Sequence, residues 1–300
     1  MYVTPLPDKS GFSLVELAIV LVILGLLVGG VLSGQALIRS ATIRSQLVQI
    51  DQIVAGARTF REKYFYYPGD LTSSVTTLPG GTTRQCWDGN GPGDGDGIIE
   101  MSSGTIAGES SFFWADITTS GMLAGKYTAI YPGVGCNPGA NLGAVNGSAL
   151  AEYFPPSKLG GSLYLYVWSN GVAPQIWVGG GSDGFNYITI AEPVNFCGYN
   201  GCGTFNSNPT VTVADAYAMD MKKDDGMPQT GGVLAAYFNG FGAWAGTAGL
   251  FGSNHLPNTT ATAGSATTCY DNDGVGGTKH HYSIGQNNGE GKNCAVSFKF

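Results

Sequence analysis

Charged residues are scarce in this chain, and basic residues are scarcer than acidic ones. Only 12% of the 300 residues are charged, and 14 Lys and Arg stand against 21 Asp and Glu, which gives a formal net charge of -7. Proteins that bind nucleic acids neutralise phosphates with clustered Lys and Arg. The sequence contains no such cluster with interleaved aromatic residues. The composition therefore argues against a nucleic-acid partner.

Catalytic signatures are also missing. The sequence has no H-E-x-x-H, P-loop or dinucleotide fingerprint, and its three histidines lie in polar segments. Residues 180–184 fit the pattern G-x-S-x-G, but a nucleophile elbow needs a strand before the serine and a helix after it. A predicted strand follows here instead, which favours a hairpin turn. We predict no catalytic residues and no enzymatic activity.

Proline is missing between Pro7 and Pro68, so nothing in this stretch obliges a helix to break. The first part, residues 12–32, is apolar or small at almost every position and is about as long as a membrane-spanning helix. Apolar residues then continue at helical spacing, at Ile43, Leu47, Ile50, Val54 and Ala57, and the stripe is widened by Ile53, Phe60 and Tyr64. The pattern predicts one helix over 12–66, about 80 Å long. Its first part, 12–35, would lie in the membrane, and its outer half would pack on the rest of the protein.

The apolar run contains one carboxylate, Glu16. A charge costs on the order of 2.5–3.5 kcal/mol at a bilayer centre and less near an interface. A cleaved secretory signal, with residues 34–36 as its exit site, and a plain single-pass anchor are the ordinary explanations for such a run. Neither of them accounts for the carboxylate.

The residues before Glu16 supply a third explanation. The sequence Lys9-Ser10-Gly11-Phe12-Ser13-Leu14-Val15-Glu16 resembles the processing site of type IV prepilins and type II secretion pseudopilins. The resemblance implies that residues 1–11 are a leader, which a prepilin peptidase removes by cutting after Gly11. Phe12 would then be the new N-terminus and would be N-methylated. Glu16 would meet the N-terminal amine of a neighbouring subunit during assembly, which offsets the cost of a charge in lipid.

From about residue 67 the composition changes to Gly, Ser, Thr, Asn and Pro with short apolar runs. Strands are predicted at 162–168, 175–178, 186–191, 233–238 and 295–300, and short helices at 110–120 and 213–222. The second helix follows Thr212, with Asp215 three residues on, which is a capping-box-like start. We therefore predict an α+β head over 67–300, in which the long helix packs on a small antiparallel sheet with long Gly-rich loops and disulfides.

Six cysteines follow the apolar run: Cys86, Cys136, Cys197, Cys202, Cys269 and Cys294. An even number of cysteines beyond a membrane segment predicts disulfides in an oxidising compartment. Six cysteines allow 15 pairings, among which sequence order favours Cys197–Cys202 and Cys269–Cys294. A zinc site is the alternative, although Cys197-x4-Cys202 has no second pair at metal-ligand spacing.

The resemblance implies a structural subunit of a type IV pilus or a type II secretion pseudopilus. Such a subunit is inserted once in the bacterial inner membrane with its head outside the cytoplasm, and it then joins copies of itself or other pilins in a periplasmic or extracellular filament. A prepilin peptidase and methyltransferase would process it. The alternative is a minor, tip-located, adhesin-like pilin whose head binds a surface or a partner protein. The large head and the aromatic-rich stretch 237–244 favour this alternative.

No cofactor is required by this function, but the segment DGNGPGDGDGIIE at 88–100 offers oxygen ligands to calcium. Its oxygen-bearing side chains are those of Asp88, Asn90, Asp94, Asp96 and Glu100. Calcium takes 6–8 oxygens at 2.3–2.6 Å, and alternating glycines would let these side chains converge. An EF-hand register fails because Pro92 falls at the first ligand position, and a solvated acidic turn is the alternative. Weaker candidates are Asp271 with Asp273, and Asp220 with Asp224 and Asp225.

Calcium binding by segment 88–100 can be tested through stability, because a ligand that binds the folded state stabilises it by RT ln(1 + [L]/Kd). Calcium should raise the melting temperature of a soluble head without residues 1–35, and Asp94→Ala combined with Asp96→Ala should abolish the rise. Calorimetry in calcium and in chelator measures both. A melting temperature that responds to neither would leave the segment as an acidic turn.

Overall fold

The computed structural model describes residues 13–72, 93, 95–99, 109–128, 147–169, 184–195, 206–239, 242–245, 248–249, 268–271 and 281–300. Contacts divide the chain into two compact units, Met1–Arg44 and Ser45–Phe300. The two units are described separately below.

The first unit contains the inner part of helix α1, which runs from Leu14 to Tyr64 and confirms the predicted long helix. Every large apolar side chain of α1 up to Leu32 is at least 50% exposed. The helix is long and apolar enough to cross a membrane by length and composition. Among the described residues of this unit, 13–44, no other element covers this apolar surface, and a helix that is apolar all round is typical of a membrane span or a buried core.

The second unit begins with the outer part of α1, which is amphipathic. Its buried positions recur at helical spacing and comprise Gln46, Ile50, Ile53, Ala57 and Phe60. Of the predicted stripe, Ile50, Ile53, Ala57 and Phe60 are buried, whereas Val54 is only half-buried. The Oε1 of the buried Gln46 accepts hydrogen bonds from Ser157 Oγ and from the Lys158 N–H, both at 2.7 Å, which satisfies the oxygen of this amide.

The remaining helices of the second unit confirm the predicted ones. Helix α2 is Glu109–Thr119 and is followed by Gly121, whose φ of 76° suits a C′ glycine. Helix α3 is Val213–Lys223, and its N-cap Thr212 accepts a hydrogen bond from the Asp215 N–H at 3.1 Å. Short 3-10 helices occur at Gly147–Glu152 and Asn287–Gly289.

In chain order the described strands are β1 (Tyr164–Ser169), β2 (Asn186–Asn195), β3 (Asn206–Asn208), β4 (Val211–Thr212), β5 (Val233–Leu234), β6 (Tyr237–Asn239), β7 (Gly242–Ala245), β8 (Ala248–Gly249), β9 (Tyr270–Asp271), β10 (His281–Tyr282), β11 (Lys292–Cys294) and β12 (Val296–Lys299). The main sheet has the order β1-β2-β12-β5, with β3 also paired to β2, and all of these pairs are antiparallel. Smaller antiparallel sheets join β9 to β10, β4 to β11, and β6 to β7 to β8. The antiparallel α+β head is therefore confirmed.

Two of the predicted strands are not confirmed. The single strand predicted at 233–238 is wrong, because β5 and β6 are separated at Ala235 and Ala236. The Ala235 N–H donates to the Pro228 carbonyl at 2.7 Å rather than to a neighbouring strand, which ends the ladder of β5 there. The strand predicted at 175–178 lies outside the described residues.

A chain of buried hydrogen bonds crosses the main sheet. The Trp168 indole N–H on β1 donates to Thr189 Oγ1 on β2, and this hydroxyl also bonds to the hydroxyl of Ser297 on β12. Ser297 Oγ donates onward to the Ala236 carbonyl at 2.7 Å. The buried polar side chains of three strands thus satisfy one another's hydrogen bonds inside the sheet.

The packing of α1 on the head predicts opposite outcomes for two phenylalanines five residues apart. Phe60 is fully buried beside Leu71 and its ring lies against that of Tyr64 at a tilt of 45°, with 4.5 Å between ring centroids, whereas Phe65 is 83% exposed. Phe60→Ala should lower the free energy of unfolding by about 3–5 kcal/mol, and Phe65→Ala should change it by about 0.5 kcal/mol or less. Urea unfolding of the protein in detergent measures both. Equal losses would show that α1 does not pack as described.

Candidate functional site

The start of α1 is a capping box. Ser13 precedes the first helical residue, and its Oγ accepts a hydrogen bond from the Val15 N–H at 3.2 Å. In return, Glu16 Oε2 accepts a hydrogen bond from the Ser13 N–H at 2.8 Å. The pair satisfies two backbone donors that a helix start leaves without partners. It also places the carboxylate in the first turn, where the helix dipole favours negative charge.

Glu16 is therefore held by its own chain, a local role that the sequence interpretation did not include. The signal was present, because Ser-x-x-Glu before an apolar run is the sequence signature of a capping box. Gly11 and Phe12, where cleavage and methylation are predicted, lie outside the described residues. Their roles, and the pairing of Glu16 with a neighbour's amine, stay predictions.

Segment 88–100 is described only in part. Among its five predicted ligands the structure describes Asp96, whose Oδ1 accepts a hydrogen bond from the Ile98 N–H at 2.7 Å. The other four ligands lie outside the described residues. Calcium binding by this segment stays a prediction.

The glycines of this segment approach a carboxylate from elsewhere in the chain. Asp70 is fully buried, and its two oxygens accept hydrogen bonds from the N–H groups of Gly95 and Gly97 at 2.8 and 2.9 Å. Both glycines have positive φ, 82° and 92°, and a Cβ on Gly93 would lie 2.5 Å from the Asp70 backbone carbon. The alternating glycines thus let backbone amides converge on a protein carboxylate.

Asn186, at the start of β2, completes this arrangement. Its Oδ1 accepts a hydrogen bond from the Ile99 N–H at 2.7 Å, and its Nδ2 donates to the Gly97 carbonyl at 2.9 Å. The bidentate contact fixes residues 97–99 against the main sheet. Neither Asp70 nor Asn186 was predicted, because the contacts span 25 to 89 residues of sequence.

A second acidic cluster joins α3 to β5. Oxygen atoms of Asp220, Asp224 and Asp225 lie within 4.8 Å of one another. Asp224 Oδ2 accepts hydrogen bonds from the N–H groups of Gly232 and Val233, and Asp225 accepts from Met227 and Thr230. These hydrogen bonds hold the loop between α3 and β5 in place. Among the described residues, the three carboxylates also form a group of acids that could hold a cation. In the remaining calcium candidate, Asp271 with Asp273, Asp273 lies outside the described residues.

Asp220 is the buried member of this cluster. Its Oδ2 accepts a hydrogen bond from the Tyr282 hydroxyl at 2.8 Å, and its Oδ1 accepts one from the Gly226 N–H at 3.0 Å. The pKa of Asp220 is raised to about 7. Burial is the largest cause, and the charges of Asp225 and Asp224 act in the same direction, whereas the two hydrogen bonds lower the pKa. Burial and the neighbouring Asp220 also raise the pKa of Tyr282 well above its ordinary value.

The predicted disulfide Cys269–Cys294 is confirmed, with 4.9 Å between the Cα atoms. It links the residue before β9 to the end of β11, so neither cysteine is available to zinc. The other four cysteines, including the predicted pair Cys197–Cys202, lie outside the described residues.

Comparison with known proteins identifies the N-terminal segment. Residues 6–32 match the family described as the prokaryotic N-terminal methylation motif. The match confirms the resemblance that Gly11, Phe12 and Glu16 carry, and it supports an exported protein that is type IV pilin-like or pseudopilin-like. No curated protein and no solved structure matches the chain. The motif ends inside α1, so it leaves the head unassigned.

The raised pKa of Asp220 predicts a pH-dependent stability. The unfolded chain loses this proton near pH 3.8, whereas the folded protein keeps it up to about pH 7. The stabilising contribution of the protonated carboxyl is therefore complete below about pH 4 and is lost as the pH rises to about 7. Asp220→Asn, which is neutral throughout, should flatten this part of the profile.

Urea unfolding at several pH values between about 4 and 8 compares the two proteins. Asp225→Asn is the comparison variant, because it removes an exposed charge from the same loop and leaves the buried carboxyl in place. Since burial is the largest cause of the raised pKa of Asp220, this variant should keep most of the pH dependence and lose only the part due to the charge of Asp225. Parallel profiles for the wild type and Asp220→Asn would contradict the prediction.

Proposed function

We propose that the protein is a structural subunit of a type IV pilus or a type II secretion pseudopilus. The observation that carries the proposal is the methylation motif at 6–32, which continues into a helix with an uncovered apolar surface. Such a surface is stable in lipid before assembly and among the N-terminal helices of other subunits afterwards. The processing enzyme would be a prepilin peptidase and methyltransferase.

The continuity of α1 supports a role in a filament. The apolar part begins at Leu14, and the same helix continues without interruption to Tyr64 inside the second unit. Packing of the inner part with other subunits would therefore also carry the head into the assembly. The disulfide Cys269–Cys294 supports a head outside the cytoplasm, where thiols are oxidised.

A minor, tip-located, adhesin-like pilin is the second candidate function. The size of the unit Ser45–Phe300 favours it, because a shaft subunit needs no head this large. The aromatic stretch 237–244 gives it less support than the sequence suggested, since Tyr237 is buried. Copy number separates the two candidates. Immunogold electron microscopy should show the subunit along the whole shaft if it is structural and at one end if it is an adhesin.

The N-terminus of the native protein tests the processing step. We expect a mature chain that begins at Phe12 and carries one N-methyl group, because the resemblance to prepilins implies a cut after Gly11, and the methylation motif at 6–32 supports it. Mass spectrometry of the protein from membranes or filaments measures this. A mature N-terminus near Leu37 would indicate an ordinary secretory signal and would refute the assignment.

Glu16→Ala tests the assembly step. Membrane insertion should be unchanged or improved, because the substitution removes a costly carboxylate from the apolar run. Filament incorporation should fall, because the neighbour's amine loses its partner. Fractionation followed by quantification of the subunit in membranes and in sheared filaments separates these effects. Wild-type incorporation of Glu16→Ala would show that the pairing is dispensable.

A further inference from the structure

Phe65 ends α1 in a conformation that a bulky side chain rarely adopts. Its N–H still donates to the Arg61 carbonyl at 2.8 Å, but its φ is 67°, in the left-handed region. Glycine usually takes this position after a helix, because it has no Cβ to clash there. A phenylalanine is strained in this conformation. The requirements of the helix end therefore do not explain why the residue is aromatic.

The ring of Phe65 is also uncovered. Phe65 is 83% exposed, and the next most exposed large apolar side chain described in the second unit is Val48 at 53%. The flanking Tyr64 and Tyr66 differ, because both pack against the buried cluster that contains Phe60. A single exposed apolar side chain is ordinary, but strain and exposure on the same aromatic residue indicate a role outside the folded subunit.

The same unit contains a groove that is large enough to accept such a ring. It has a volume of about 220 Å³ and lies between α1 and the strands β5 and β12. Its apolar lining consists of Ile50, Val54, Val233 and Phe298, and we call it the Val54 groove. A cavity of about 150 Å³ with apolar walls accepts a benzene ring. The Val54 groove therefore has the size and the lining for one phenyl ring.

A cation at the Val54 groove also suits an aromatic guest. The two acids that line the groove are engaged, Asp51 by an ion pair with Lys223, and Asp224 by backbone N–H groups of β5 and the residue before it. Arg58 lines the groove as well, and it has no ion pair, hydrogen bond or ring contact among the described residues. A guanidinium is attracted to the face of an aromatic ring, so Arg58 would stabilise a ring in the groove.

The guest cannot come from the same chain. Phe65 follows Val54 by 11 residues, which at 1.5 Å per residue is about 16 Å along α1. A second copy of the chain offers the same exposed ring. A ring and a groove at different places on one surface make a heterologous contact, and a heterologous contact that does not close on itself generates a helical filament.

We propose that Phe65 of one copy inserts into the Val54 groove of the next copy and so joins successive heads. The inference rests on the proposed function of a filament subunit. It adds the partner of the head, which is a second copy of this chain, and the two surfaces that meet. It also gives the offset between the two copies, about 16 Å along α1.

Paired cysteines test the contact directly. A chain with Val54→Cys and Phe65→Cys is assembled into filaments and oxidised. A disulfide needs Cα atoms within about 7 Å, so two positions about 16 Å apart in one chain are linked only between copies. We expect a ladder of covalent multimers, because every copy offers one ring position and one groove.

The matched control is Gln52→Cys with Phe65→Cys. Gln52 is exposed on the same helix but does not line the Val54 groove, so this chain should give no ladder. The wild type, oxidised in the same way, gives the background from the native cysteines. A Val54 ladder no stronger than the Gln52 control, in filaments that do form, would overturn the proposal.

Phe65→Gly separates assembly from folding. It removes the ring and relieves the strained backbone, so urea unfolding of the full chain in detergent should show an unchanged or higher midpoint. The variant is expressed together with a tagged wild-type copy, and its ratio to that copy in filaments is compared with the ratio in membranes. We expect this ratio to fall about fivefold, as for an interface residue that contributes to binding. Phe65→Tyr keeps the ring and should be incorporated like the wild type.

The remaining outcomes are also decisive. Incorporation of Phe65→Gly at the wild-type level would overturn the proposal. A lowered urea midpoint for Phe65→Gly would overturn it too, because the ring would then serve the fold of the single subunit. Absence of wild-type filaments is a distinct result, which would overturn the proposed function and this inference with it.

Discussion

One helix must be stable in two surroundings, and the rest of the structure depends on this constraint. Up to Leu32, α1 exposes apolar side chains all round, whereas from Gln46 to Phe60 it buries a single stripe in the head. The absence of proline between residues 7 and 68 allows both parts to share one hydrogen-bonded backbone. The head therefore begins on the same helix whose first part is long and apolar enough to cross a membrane.

Two carboxylates of this charge-poor chain, Asp70 and Asp220, are buried and accept several hydrogen bonds each. Asp70 is surrounded by the amides of Gly95 and Gly97, and Asp220 by Tyr282 and Gly226. An ionised carboxylate has about four lone-pair sites, so one side chain can organise a whole loop that lacks regular secondary structure. In a Gly-rich head, the backbone amides of glycines are readily available as donors to such carboxylates.

The N-terminal segment and the head differ in how far comparison with known proteins describes them. The methylation motif at 6–32 is a short local pattern, and its chemistry requires particular residues at fixed spacing. The head matches no curated protein or solved structure, and the central pair of its main sheet joins strands far apart in sequence, β2 and β12. An export and assembly route is thus supported for the whole chain, while any specific binding by the head depends on surfaces that the motif does not describe.

The sequence by itself determined the features that depend on local order: the length of α1, the Thr212 cap of α3, the strands β1, β2 and β12, and the methylation motif. These depend on helical or alternating periodicity and on capping residues a few positions away, so neighbouring residues carry the information. Only the tertiary structure decided the partners of Asp70, Asn186 and Asp220, and the break between β5 and β6. Those contacts join residues far apart in the chain, and no local pattern shows which amide or hydroxyl will fill a buried acceptor.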